Sequence, residues 1–451
     1  MYLAYSLLLT LGLIVLIPHF LYQAFAHGKY IEGLRQRLGS LPPINNSSKP
    51  VIWLHCVSVG ETQAARPLVS RLRSEFPDHF LLISTITTTG QTLAQEVFRN
   101  QADAVVYFPF DWTWTVRRAF KAIKPDVVLI METELWPNFL RVCRNQDVPV
   151  ALVNGRISAQ SFRRYRMVRF FLRKVLSHLS IAVMQSDNDA KRIATLGMQD
   201  EKLFVSGNLK FDVDPSGVIA NSTQMFRKRF DIKPEQLLIL GASTHGPEEK
   251  IIIKSFQALR DKHDVRLIIA PRRPERFQEV ANLIAGTSLS SARRSKDPQD
   301  DDANAEIILL DSIGELPAIY SLCTVVFVGG SIVNKGGHNV LEPAMTGVCV
   351  VTGHNTDNFQ AIVELLVEAN AIVQLPPIEP EKADQSLTRL LGELLTDGYR
   401  RSELGKHARE IVQQNQGAAD RTLSLISPLF RRTTLRNGSN QKVLATNSSH
   451  S

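Results

Sequence analysis

Gly329-Gly330-Ser331-Ile332-Val333-Asn334-Lys335-Gly336-Gly337-His338-Asn339-Val340-Leu341-Glu342-Pro343-Ala344 follows an apolar run, Thr324-Val325-Val326-Phe327-Val328. The run reads as a buried strand, and the end of the stretch as a helix. Glycine lets backbone pass close to a ligand where a Cβ would clash. N–H groups at a helix start favour an anion such as a phosphate. His338 can donate a hydrogen bond, and Glu342 can accept two from a ribose. A nucleotide fits this set, with its phosphate at glycines such as Gly337 and its sugar at the carboxylate. An ordinary glycine-rich turn is the competing reading.

Working outward, short apolar runs alternate with helical spacing along most of the chain. Strands are expected at Val51–Val57, Phe80–Ser84, Val105–Phe108, Asp126–Met131, Val148–Val153 and Ile181–Met184. After a pause rich in Asp, Pro, Ser and Gly near Asn208–Thr223, they resume at Leu237–Leu240, Val265–Ile269, Ile307–Leu310, Val325–Val328 and Val348–Val351. This alternation predicts parallel sheets covered on both faces, an α/β protein. Ser288–Ala305 is charged and poor in apolar residues, and reads as an exposed, mobile loop.

At 451 residues the chain is too long for one ordinary core. Four segments are expected: a membrane anchor at 1–27, an α/β domain at 28–215, a second at 216–430, and a polar, disordered tail at 431–451. The net charge of +8 suits an acidic substrate or an anionic membrane face. No dense Lys/Arg run interleaves with aromatics, so nucleic acid is not the expected partner. Cys56, Cys143, Cys323 and Cys349 are scattered, with no Cys-x-x-Cys pair, and read as reduced residues without a metal site.

No charged side chain occurs before Lys29, and Tyr2–Phe25 is nearly all apolar, long enough for the ~20 residues of a bilayer span. A cleaved signal peptide would want a basic start and a shorter apolar core. The first positive charges, Lys29, Arg35 and Arg37, follow the run, which predicts a single-pass anchor with the protein body in the cytoplasm. A helix lying in the membrane plane is the alternative.

Ligands of α/β sheets bind beyond the carboxyl ends of strands. Glu61 stands there, after Ser58-Val59-Gly60, either as a general base or as a charge complementing a helix dipole. His55 nearby could equally be a core histidine. Met131-Glu132-Thr133-Glu134-Leu135-Trp136-Pro137-Asn138 places two carboxylates at the end of an apolar strand, a costly arrangement unless something pairs with them. Lys210, in Leu209-Lys210-Phe211-Asp212, could neutralise a carboxylate or phosphate. In the second half, Ser243-Thr244-His245 and Pro271-Arg272-Arg273-Pro274-Glu275-Arg276 follow successive strands, as does Ile313-Gly314-Glu315. Small hydroxyl residues before a helix suit a phosphate or an ordinary N-cap. Three arginines at one strand's end could grip an anion.

Together these stretches resemble the 3-deoxy-D-manno-octulosonic acid (Kdo) transferases of bacterial lipopolysaccharide synthesis. The shared motifs are Ser58-Val59-Gly60-Glu61, Met131 to Asn138, Leu209 to Asp212, Ser243-Thr244-His245, Pro274-Glu275-Arg276-Phe277 and Gly336-Gly337-His338-Asn339. The resemblance implies a GT-B glycosyltransferase fold, two Rossmann-like domains facing across a cleft, at the cytoplasmic face of the inner membrane. It implies inverting transfer of Kdo from CMP-Kdo, a co-substrate, to the 6′-hydroxyl of a lipid A precursor, with no cofactor and no metal. Glu61 stands where the family has its catalytic base, and Glu132 and Lys210 where it stabilises the transition state. Pro271, Arg272, Ile313, Gly314, Glu315, Asn339, Val340, Leu341 and Glu342 match CMP-contacting positions. Ser243, Thr244, His245, Gly337 and His338 are candidate contacts to the donor's phosphate or sugar. The sequence departs at Arg273, where the common pattern has His, and at Gly246-Pro247, where it usually has Glu-Gly. Rival readings are another nucleotide-sugar enzyme using UDP, or a membrane-tethered nucleotide-binding module without catalysis.

Overall fold

The computed structural model describes residues 1–27, 32–41, 49–212 and 219–430, which form two α/β units. The first unit comprises Met1–Asp212 together with the chain from Gln416 onward. Its strands are β1 (Val51–His55), β2 (Phe80–Thr85), β3 (Ala104–Tyr107), β4 (Val127–Met131), β5 (Val150–Gly155), β6 (Ile181–Met184) and β7 (Leu203–Val205). All pair in parallel, in the order β3-β2-β1-β4-β5-β6-β7. The first six strands follow the Rossmann order, with its switch point between β1 and β4. β1, β2, β4 and β5 are buried along their whole length. That is why they read as continuous apolar runs rather than alternating ones.

The second unit, Val213–Asn415, repeats the plan. Its strands are β8 (Leu237–Thr244), β9 (Val265–Pro271), β10 (Ser291–Arg293), β11 (Ile307–Leu309), β12 (Val325–Val328), β13 (Cys349–Thr352) and β14 (Val373–Gln374). They are again parallel, in the order β10-β11-β9-β8-β12-β13-β14. β8 and β12 are neighbours in space, so the residues following each meet at the switch point.

Two expectations are corrected and a third finds no support. The second unit ends at Asn415, not at residue 430: the helix over 418–430 returns to the first unit. Ala418, Leu423, Ile426 and Phe430 join the apolar core containing Leu54 and Leu68. Asp212 fixes this return, accepting from the N–H groups of Gly417 (2.6 Å), Ala418 (3.2 Å) and Ala419 (2.6 Å), an N-cap contributed from 205 residues away. The segment Ser288–Ala305 carries β10 and a 3₁₀ turn, Asp300–Asn304, rather than a mobile loop. Two arginines make the difference: half-buried Arg229 pairs with Asp302 at 2.8 Å, and buried Arg266 donates to the carbonyls of Ala305 and Asp302.

The third expectation, the single-pass anchor, is not supported. A helix forms over Tyr2–His27, but among the described residues no helix is long and apolar enough to cross a membrane. Its first turns are tied to the body by polar groups: Tyr2 to His178 (2.7 Å), Ser6 to Asn138 (2.9 Å) and Thr10 to Trp112 (3.0 Å). Beyond the helix, Gln36 accepts from the N–H of Tyr107, and the Arg37 carbonyl from that of Phe110. The first turns of the helix and the residues Gln36 and Arg37 are thus each held by the first unit. The expected tail at 431–451 and the charge at Lys29 lie outside the described residues.

Replacing Asp212 with Ala should destabilise the first unit by about 1–2 kcal/mol, the cost of losing an N-cap, and Asp212→Asn by less. Urea unfolding followed by circular dichroism measures both; an unchanged midpoint for Asp212→Ala would show that the cap does not hold the returning helix.

Candidate active site

In the first unit, Ser58 caps the helix Val59–Glu75 and places Glu61 in its first turn, directly after β1. Glu61 is buried at 6% exposure. The Val57 N–H donates to one carboxylate oxygen at 2.8 Å and the Ser58 hydroxyl to the other at 3.2 Å. Burial raises its pKa to about 8, the charge of Glu132 adds to the rise, and the Val57 N–H opposes it. Glu132 follows the neighbouring strand β4, with φ at +53°, a left-handed conformation that costs energy outside glycine. Its N–H donates to the Val153 carbonyl at 3.0 Å, which holds that conformation in place. Glu134 is pushed up to about 7 by burial and then by Glu132.

Lys210 belongs to the same neighbourhood. Burial lowers its pKa, Glu132 and Glu61 oppose that, and Arg156 adds to it. The turn carrying Lys210 is pinned by Asn154, whose Oδ1 accepts from the Leu209 N–H at 3.0 Å. Glu61, Glu132 and Lys210 are thus brought together. Glu134, the second carboxylate of that strand end, joins them, and Asn154 and Arg156 complete the group without having been singled out. Asn154 and Arg156 flank Gly155 at the end of β5, and that position was the only available signal. His55 is a core residue: fully buried, stacked on Phe108 at 3.8 Å, hydrogen-bonded to Ser84, with its pKa driven down to about 3 by burial.

In the second unit, the loops after β8 and β12 meet around Glu248. This fully buried carboxylate accepts from the N–H groups of Gly330 (2.7 Å), Ser331 (3.0 Å), Ile332 (2.9 Å) and His245 (3.0 Å). Burial raises its pKa, and those four bonds pull the other way. The first glycine pair therefore cradles the protein's own carboxylate. A Cβ on Gly329 would lie 2.8 Å from Glu248 Oε2 and from the Ser243 carbonyl. Gly330, with φ at +69°, lies against the ring of His338.

This clasp sets His338 beside His245, with Nε2 to Nε2 at 2.9 Å and rings stacked 5.1 Å apart. One ring must donate and the other accept, so the pair carries at least one neutral acceptor nitrogen. Burial and then Arg272 lower His338 to about 4; burial and then Arg273 lower His245. Arg272 and Arg273 are exposed, and neither guanidinium pairs with a carboxylate among the described residues. Arg276, the third of the run, is instead committed to Glu249 (2.6 Å) and Glu279 (2.7 Å). Exposed Lys335 adds a further positive charge near His245. The arrangement is an electropositive patch suited to a phosphate.

The remaining positions surround it unevenly. Pro271 ends β9, in register with Thr244. Ser243 is in the left-handed region, Thr244 is buried, and Gly246-Pro247 is a cis peptide. Glu315 is held by Arg294 at 2.6 Å and by Ser312, while Ile313 beside it is 80% exposed, an apolar surface open to a base. Gly314 has φ at +86° and Gly337 at +69°. Asn339 donates to Glu342 at 3.0 Å and accepts from the Leu341 N–H at 3.0 Å. The side chains of Val340 and Leu341 are buried.

Residues 32–213 match the family model described as 3-deoxy-D-manno-octulosonic-acid transferase (kdotransferase). The chain is 34% identical over 407 residues to a 3-deoxy-D-manno-octulosonic acid transferase from Haemophilus influenzae, covering 90% of this chain and 93% of that one. A transferase of the same name from Bordetella pertussis is 31% identical over 385 residues, 83% and 86% of the two chains. A putative UDP-N-acetylglucosamine 2-epimerase from Listeria monocytogenes superposes with a TM-score of 0.54 at 15% identity, over 86% of this chain and 98% of its own. That likeness concerns the fold, GT-B-like, with two parallel Rossmann-like sheets. With 90% of its length aligned to a relative 34% identical, the chain belongs to the 3-deoxy-D-manno-octulosonic acid (Kdo) transferase family and is a glycosyltransferase.

Proposed function

We propose that the protein transfers Kdo from CMP-Kdo to the 6′-hydroxyl of a lipid A precursor, lipid IVA, in lipopolysaccharide synthesis at the cytoplasmic face of the inner membrane. The observation that carries this reading is the buried Glu61 carboxyl, with its pKa raised to about 8 and its orientation fixed by Val57 and Ser58. A base of that strength suits proton removal from a sugar hydroxyl. Glu61 takes the proton of the 6′-hydroxyl, whose oxygen attacks the anomeric carbon of Kdo as the bond from that carbon to the CMP phosphate oxygen breaks. The configuration inverts, and CMP departs with the bonding electron pair.

In this reading Arg272, Arg273 and the His245–His338 pair receive the donor's negative charge, and Ile313 offers its apolar surface to the cytosine. Preorganised donors aimed at developing charge commonly supply the largest catalytic term. Glu132 and Lys210 orient the reacting groups and balance charge beside Glu61. The chemistry needs neither a cofactor nor a metal.

Glu61→Gln should lower turnover at least ~10²-fold in a transfer assay with CMP-Kdo and lipid IVA. The parent's kcat/KM should rise with pH up to about 8, as the base ionises. Stability should move the other way. A carboxyl whose pKa is raised from 4.5 to about 8 on folding favours the folded state most below 4.5, and that advantage is lost as pH rises through 8. Glu61→Gln should therefore match or exceed the parent's Tm at pH 8 to 9 while losing activity. Near-normal turnover in this variant would remove Glu61 from the mechanism.

The donor site makes a second prediction. Arg272→Ala should raise the Kd for CMP about tenfold without lowering Tm, the effect of losing one charged contact. Glu248→Gln should raise it comparably and also lower Tm, because buried N–H groups lose their acceptor. Calorimetry with CMP measures both; an unchanged Kd in Arg272→Ala would move the phosphate elsewhere.

A further inference from the structure

The helix Pro137–Asn145 begins directly after the loop that carries Glu132 and Glu134. Its own N-cap residue, Trp136, makes no side-chain cap. The cap comes from Asp111, in the loop after β3. Its carboxylate accepts from the N–H groups of Asn138 (3.0 Å) and Phe139 (2.7 Å), and its carbonyl from Asn138 Nδ2 (2.6 Å). Asp111 and Asn138 are 2% and 1% exposed. Two residues of the N-terminal helix close over this pair. The Tyr5 hydroxyl bonds to the Asp111 carboxylate, and Asn138 Nδ2 donates to Ser6 Oγ at 2.9 Å. Burial raises the Asp111 pKa to about 7, and the Asn138 N–H, the Phe139 N–H and the Tyr5 hydroxyl oppose the rise.

The loop between β4 and that helix is short, running from Glu132 to Trp136. At its start the Glu132 N–H is tied to Val153, and next to it the Thr133 hydroxyl donates to the Arg156 carbonyl. At its end Trp136 packs on Phe108, in the same loop as Asp111, with ring centroids 5.8 Å apart. A residue in the left-handed region, as Glu132 is, keeps that conformation only where its surroundings over-determine it. A helix cap and one strained residue are worth free energies of the same order, so loss of the cap frees the loop to relax. Among the described residues, the ionisable groups facing Glu61 are Cys56, Glu132, Glu134 and Lys210, and those facing Asp111 are Tyr2, Tyr5 and Cys143. Of the first four, Glu132 and Glu134 ride on this loop. Their charges raise the Glu61 pKa, so a loop that moves away or admits water lowers it.

We propose that Asp111 is a positioning residue of the transfer site: with Asn138 it locks the Glu132–Trp136 loop so that Glu132 stands against Glu61, and Tyr5 and Ser6 make the N-terminal helix part of that lock. Asp111 acts through the start of the helix and touches no reacting group. Its effect on turnover rests on the reading of Glu61 as the base; its hold on the loop does not.

The test compares the full-length parent with Asp111→Ala, Asp111→Asn and Tyr5→Phe. Transfer from CMP-Kdo to lipid IVA gives kcat, KM and the pH dependence of kcat/KM. The Glu61 ionisation is also read without substrate, from its isotope-labelled carboxyl resonance, assigned by its loss in Glu61→Gln. Asp111→Ala should lower kcat by about 10- to 100-fold and leave the KM for CMP-Kdo within about twofold of the parent's. In both titrations the Glu61 midpoint should fall from about 8 by about one pH unit. Asp111→Asn keeps one acceptor oxygen and should recover most of both losses. Tyr5→Phe leaves the cap in place and should give a smaller shift of the same sign. A lowered Tm and kcat with an unmoved Glu61 midpoint in Asp111→Ala would make Asp111 a structural cap alone and overturn the proposal. An unmoved midpoint in Tyr5→Phe would do the same for the helix's part, and decides the matter should Asp111→Ala fail to fold. Near-normal turnover in Glu61→Gln would strike the base reading instead, and the carboxyl titration would still report whether Asp111 holds the loop.

Discussion

A single buried carboxylate organises the second unit. Glu248 gathers four N–H groups from two loops that are 82 to 84 residues apart in sequence at the glycine turn. An ionised carboxylate in an apolar core is costly unless its oxygens are satisfied, and four N–H donors satisfy them. The glycines follow from that clasp, because the backbone approaches Glu248 too closely for side chains. The histidine pair follows as well, since His245 is tied to Glu248 through its own N–H and His338 closes over Gly330. What remains for a ligand is the outer surface of this cluster, where the arginines stand.

The first unit solves a different electrostatic problem. Glu61, Glu132 and Glu134 crowd the ends of two adjacent strands, and the charge of Glu132 adds to burial in raising the pKa of Glu61 and of Glu134. Lys210 and Arg156 offset part of that charge. The left-handed backbone at Glu132 is a local strain held by the sheet's own hydrogen bonding. Strain and like charges gathered at a strand's end oppose stability, and their persistence fits a place where chemistry is done.

Much of this was legible in the chain. Central parallel strands are buried on both faces, so they appear as uninterrupted apolar runs, and eleven of the fourteen strands among the described residues are legible in that way. The three not read, β7, β10 and β14, are edge strands of two or three residues, too short to stand out as runs. Glu61 and Glu132 could be picked out because a carboxylate after a buried strand is conspicuous. The work of Glu248 and Asp212 could not, since each acts on backbone groups far away in sequence. The N-terminal run was read by its apolar content. The polar stripe of Tyr2, Ser6 and Thr10 was present at helical spacing, but its partners, His178, Asn138 and Trp112, emerge only on folding.

The most direct measurement mixes the purified full-length protein with fresh CMP-Kdo and a tetraacylated lipid A precursor, and weighs the lipid by mass spectrometry. A product heavier by a whole number of Kdo residues, with CMP released in equal amount, is the predicted result. An unchanged lipid beside an active control enzyme would contradict it.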